Sequence, residues 1–175
     1  MDNAKAKSEG AAYLAAAHIK ESFHPTEADF LPANLEGAVA KVTKLHEDLE
    51  GHYEKLATEE LQREFALIRK EIKNYLVVLK SIHDIEGKDQ QAWLGVSYFL
   101  QPTQDVENEP SIEQQQAAKK ILQRFAGFST NATGIIEGLI KKRTAHEEEK
   151  MRKHLERRKK QSSSGGFFAK LGIKF

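Results

Sequence analysis

Residues 34–56, NLEGAVAKVTKLHEDLEGHYEKL, decide the fold. Leu35, Val39, Val42, His46, Leu49, Tyr53 and Leu56 recur at alternating spacings of four and three, which is the seam of a helix packed against another helix. Asn34 is a suitable N-cap for it. The phase slips at LATEEL, and a second seam begins: Leu61, Phe65, Ile68, Ile72, Tyr75, Leu79 and Ile82. Two readings fit the slip, one long helix with a local kink or two helices joined by a tight turn near Thr58. The turn is preferred because antiparallel seams can bury most of each other's leucines. Gly87 is a natural terminator of the second helix.

The prolines punctuate the rest: Pro25 and Pro32, then Pro102 and Pro110. Helices fill the stretches they avoid. Residues 4–22 are alanine-rich, with Tyr13, Leu14, Ala17 and His18 on a slim face that allows close packing. In the connector HPTEADFLPAN, Phe30 and Leu31 are placed to plug the bundle end. A short helix is expected from Asp89, with Trp93, Val96, Phe99 and Leu100 inward and Pro102 ending it, followed by the acidic loop PTQDVENEP. Ser111 with Gln114 forms a capping-box pattern. Beyond it Ala118, Ile121, Phe125, Phe128, Ala132, Ile135 and Leu139 keep helical phase, so one bent helix is predicted to run from 111 to 160. Gly127, Gly134 and Gly138 would admit a close neighbour.

The expected fold is therefore all-α: an elongated bundle of about four main helices plus one short helix, with a long C-terminal helix and a flexible C-terminal tail. Residues 1–140 form the bundle, 141–161 a charged helical extension, and 162–175 a linker and docking tail. In KKRTAHEEEKMRKHLERRKK the apolar seam gives way to Met151 and Leu155. There Glu148–Arg152, Glu149–Lys153 and Glu156–Lys160 stand at i,i+4 in the favourable order, so the segment can be helical without burial.

Charge divides the same way. The net charge is +1. Residues 1–140 carry 15 Lys and Arg against 22 Asp and Glu, and residues 141–175 carry 12 against 4. An acidic body is joined to a basic end, which points to anionic partners or to attraction between the end and a body. The candidate anionic-surface residues are Lys150, Arg152, Lys153, Arg157, Arg158, Lys159, Lys160, Lys170 and Lys174. Interspersed glutamates and the lack of interleaved aromatics disfavour nucleic acid. An anionic membrane remains a candidate.

QSSSGG has linker composition, and FFAKLGIKF follows it. As a strand, Phe167, Ala169, Leu171, Ile173 and Phe175 share a face; as a helix, Phe167, Phe168, Leu171 and Phe175 cluster. The candidate partner-binding residues are Phe167, Phe168, Leu171, Ile173 and Phe175. At about 1.5–3 kcal/mol for each buried side chain, such a segment supports micromolar-scale docking after ordering costs. The expected partner is another protein or a second copy of this chain. Covering its own bundle and inserting into a bilayer are the other uses of the same chemistry.

Catalysis and metals find little footing. The chain has no cysteine, which removes thiolate sites and disulfides. His46 and His52 are six residues apart, on nearly opposite helix faces, and Glu21…His24 is a lone ExxH where a di-iron bundle needs two. No glycine-rich phosphate loop or GxSxG is present. No catalytic residue, cofactor or metal is expected. The alanine-rich start is too short and too weakly apolar for a membrane span. Asn131-Ala132-Thr133 would matter as a sequon only in a secreted chain. A cytoplasmic location is the default expectation.

Overall fold

The computed structural model describes residues 2–170 except Ala57, Pro102, Thr103 and Asp105, with side chains omitted for residues 2–5 and 163–170. Among the described residues the chain is all-helical: α1 Asp2–Ser22, a 3₁₀ turn Glu27–Phe30, α2 Pro32–Tyr53, α3 Glu59–Lys88, α4 Gln90–Leu100, α5 Ile112–Ala126 and α6 Thr130–Lys170.

The paired seams pack as an α2–α3 hairpin. Leu35, Val42, Leu49 and Leu56 are buried on one side, and Phe65, Ile72, Tyr75, Leu79 and Ile82 on the other. Thr58 makes the turn, its Oγ1 accepting from Leu61 N at 3.3 Å. The antiparallel register is pinned by Arg69, whose guanidinium grips Glu50 through two bonds of 2.7 and 2.6 Å and lies 4.4 Å over the Tyr53 ring. The start of α2 differs from expectation. Pro32 at its first turn presets φ for the helix, so Leu31 is the N-cap. Asn34, already inside, donates to Ala28 O at 3.1 Å and ties the helix to the 3₁₀ turn.

Tyr75 is the hub of the bundle's middle. Phe23 and Phe30 meet its ring edge-on at 5.7 and 5.9 Å, while its hydroxyl donates to Asp29 Oδ2 at 2.8 Å. Burial, reinforced by Asp29, drives its pKa far above the ordinary phenol value. Of the two residues expected to plug the bundle, Phe30 is fully buried and Leu31 only half-buried. On α1 the buried face is Ala12, Ala16 and Ile19, continued by Phe23 just past the helix end, whereas Leu14 is 70% exposed. The small alanines let α1 lie close to α2, and that rotates Leu14 outward.

Asp89 ends α3 and caps α4, its Oδ1 accepting from Ala92 N at 3.0 Å. Gly87 is the last residue but one of α3, and Asp89, not the glycine, is its C-cap. The close approach in the molecule is at Gly95: a Cβ there would stand 2.9 Å from Ala118 Cβ and 3.0 Å from Gln114 O. Gly134 has nothing near it and Gly138 only the Glu27 carboxylate at 3.9 Å, so they are not the packing glycines that the sequence suggested.

The largest correction concerns residues 111–160, which form two helices instead of one. Ser111 and Gln114 build the predicted capping box at the start of α5. The helix stops at Ala126, and Phe128 N and Ser129 N turn back to Phe125 O and Ala126 O, each at 3.1 Å. Ser129 then starts α6, its Oγ accepting from Ala132 N at 3.3 Å. Ile112, Gln115 and Gln116 near the start of α5 share a cleft with Arg143, Thr144 and Glu147, while Gln123 near its end shares another that reaches back to Glu137, so α5 and α6 run antiparallel. Phe128, expected inward, sits in the turn and is 54% exposed.

Candidate docking and anchoring surfaces

α6 is the element on which every candidate residue depends, and two sites fix it to the body. The first is at its start. Glu71 on α3 reaches the α5–α6 turn, where its Oε1 accepts from Ser129 Oγ at 2.5 Å, Asn131 N at 2.9 Å and Asn131 Nδ2 at 3.1 Å. Burial pushes this carboxyl up, but the donors of Asn131, Ser129 and Thr130 outweigh it and hold it below the ordinary carboxylate value. A negative charge at a helix start is also favoured by the helix dipole. Around Glu71 lies an open groove of about 810 Å³. Leu67 and Phe128, respectively 81% and 54% exposed, are its apolar walls, and Lys70, Asn131 and Glu137 its polar ones.

The second site is Arg143, which is fully buried. The inward face of α6 passes through Ala132, Ile136, Leu139 and Ile140, and Arg143 occupies the next inward position. Its guanidinium lies 3.5 Å over the Tyr98 ring, and Nη1 donates to Gln101 O and Gln104 O at 3.1 and 3.0 Å. Nη2 is 2.9 Å from Glu147 Oε1, a charge contact without hydrogen-bond alignment, and Nε has no hydrogen-bond partner. Burial raises the pKa of the Tyr98 phenol, with Arg143 pulling it down and Glu147 pushing it up. The planar cation thus clamps the end of α4 and the following loop to α6. By residue type Arg143 belongs on the surface and not in a core. Its signal was phase: it stands seven residues after Ile136 and four after Leu139.

Beyond the clamp the predicted cations separate into two groups. Lys150 is held by Glu109 at 2.7 Å. Arg152 pairs with Glu149 at 2.7 Å, and Lys153 reaches the same carboxylate at 3.5 Å. Hydrogen bonding to Arg152 holds the Glu149 carboxyl below its ordinary value. Arg157, Arg158, Lys159 and Lys160 lie on the stretch 151–162, every residue of which is exposed. Met151 and Leu155 are 66% and 50% exposed on it.

The helical backbone of α6 takes in residues 162–166, where composition suggests a linker, and continues to Lys170. Phe167, Phe168 and Lys170 therefore stand on this helix, their side chains outside the described residues; Leu171, Ile173, Lys174 and Phe175 lie outside the described residues altogether.

No helix among the described residues is long and apolar enough to cross a membrane. Among the same residues no cluster of three or more His, Asp or Glu is arranged to hold a metal ion. The fold and its anchoring sites define a helical bundle with a projecting helix. No protein-family model matches this chain, and neither a curated protein nor a solved structure matches it.

Proposed function

We propose that this chain is a non-enzymatic adaptor or self-assembly protein that docks a protein partner or a neighbouring copy through Phe167, Phe168, Leu171, Ile173 and Phe175. The observation that carries the reading is the exposure of α6 from Met151 to Ser162, beyond the last clamps at Arg143 and Lys150. A helix that leaves the body in this way supports presentation of the apolar segment at a distance, and helical backbone up to Lys170 favours helical over strand docking for its first residues. Deleting residues 162–175 tests the reading. Association measured by light scattering after size exclusion is expected to be lost while the circular dichroism of the bundle persists; association as in the full chain removes the proposal.

A second reading is favoured by the exposed run Arg157, Arg158, Lys159 and Lys160. In it the basic helix meets anionic lipid and the aromatic segment inserts. Cosedimentation with phosphatidylserine vesicles that weakens with salt supports this alternative, and absence of binding at low salt eliminates it.

A further inference from the structure

Resting on the docking reading above, we propose that the receptor for residues 167–175 is the groove between α3 and the α5–α6 turn of a second copy of this chain. The two most useful apolar side chains for such a receptor, Leu67 and Phe128, are both strongly exposed and both line it. At about 810 Å³ the open groove is in the size range of small-molecule sites, commonly about 300–1,000 Å³, so large side chains have room in it. In helical register Phe167, Phe168, Leu171 and Phe175 present one cluster, the anchor pattern of a helix laid into a groove. Charge fits as well: Glu137 and Glu71 line the groove against the single cation Lys70, while the segment brings Lys170 and Lys174. The start of α6 is already capped by Glu71, so the groove is not an anion site.

Chain length decides between a copy's own groove and its neighbour's. Thr130, Gly134 and Glu137 border the groove at the start of α6. From Glu137 to Lys170 the helix advances at about 1.5 Å per residue, roughly 50 Å in all. Residues 171–175, fully extended, reach back no more than about 17 Å. The segment cannot return to its own groove while α6 is helical, but it can enter that of another copy. Different surfaces then meet on the two copies, so assembly closes as a reciprocal dimer or a larger ring, or grows as a filament.

Three chains measured by analytical ultracentrifugation across a concentration series test this: the full chain, the chain lacking 162–175, and Leu67→Ser/Phe128→Ser. The substituted residues are exposed, and circular dichroism checks that each chain is folded. The full chain should form dimers or larger species as concentration rises. Each altered chain alone should associate at least ten-fold more weakly. Mixed, they should form a one-to-one heterodimer and nothing larger, because one supplies only a groove and the other only a segment. A groove variant that assembles like the full chain overturns the inference and leaves the docking reading standing. A deleted chain that assembles like the full chain overturns both, and a full chain monomeric at every concentration rules out a second copy as the receptor.

Discussion

The two halves of α6 are one continuous helix held by different forces. From Thr130 to Lys150 it buries Ala132, Ile136, Leu139, Ile140 and Arg143 and is tied at Glu71, Glu27 and Glu109. From Met151 to Ser162 it buries nothing, and its ion pairs lie along its own surface at Arg152 and Lys153 with Glu149. An isolated helix as short as the second half would be marginal, because the first hydrogen-bonded turn is costly to form. Here the packed half provides that turn. The exposed half needs only propagation, one hydrogen bond for each further residue, which charge-rich sequence and i,i+4 pairs can sustain. The comparison teaches that a projecting arm needs no partner of its own provided that its root is anchored.

Breaking the root should therefore cost most. Arg143→Ala removes the stack on Tyr98 and both bonds to the Gln101 and Gln104 carbonyls, leaving Glu147 without its cation. Urea denaturation should show a loss of about 3–5 kcal/mol. Arg143→Met with Glu147→Met, which removes both charges, should recover part of that loss. A cost below about 1 kcal/mol for Arg143→Ala would mean that the clamp does not hold α6.

The wall against which this half packs offers a smaller test. Gly95→Ala puts a methyl 2.9 Å from Ala118 Cβ and 3.0 Å from a backbone oxygen, so α4 and α5 must part. Overpacking costs about 1–3 kcal/mol, against about 1 kcal/mol of helix propensity regained, for an expected net loss of about 1 kcal/mol in denaturant titration.

Glu71→Gln probes the first turn of α6 and adds a pH signature. The charged acceptor of Ser129 and Asn131 becomes a neutral one, and stability should fall by about 1 kcal/mol at neutral pH. The native carboxyl titrates below its ordinary value of 4.5, so its contribution is complete above that pH and is lost as pH falls through the depressed folded value. The gap between native and variant, read from thermal melts, should close over that acidic window. A gap that widens on acidification would contradict the assignment.

What could be read in the sequence follows the range of the forces. The α2 and α3 seams were legible because each helix buries one stripe against one partner, and Thr58, Asp89 and Ser111 because a cap bonds to its own next turn. The break between α5 and α6 was not legible. Apolar residues stay in phase across it, and the carboxylate that stabilises the Ser129 turn comes from Glu71, 58 residues away. Leu14 misled because the face of α1 is made of alanines, which mark a close contact only when the neighbour is known. Arg143 reads by type as a surface residue, and only the ring of Tyr98 and two loop carbonyls brought by folding make its burial tolerable. Likewise Leu67 lies off the α3 seam and Phe128 follows the α5 stripe, so nothing local joins them into one groove.

The smallest expected effect lies in the exposed half and is the sharpest check on the comparison. Met151 and Leu155 are the large apolar residues there, one turn apart, and neither is buried. Replacing both by glutamine keeps good helix formers and removes no packed surface, so the stability of the bundle should change by less than about 0.5 kcal/mol. The measurement is denaturant unfolding at low protein concentration, followed by circular dichroism. Leu139→Ala on the buried half, measured alongside, should cost about 2–5 kcal/mol because it opens a cavity where α6 meets the body. If the glutamine pair instead destabilised the chain by as much as Leu139→Ala, the arm would have to be packed against something in solution, and its helix would not be sustained by propagation from an anchored root.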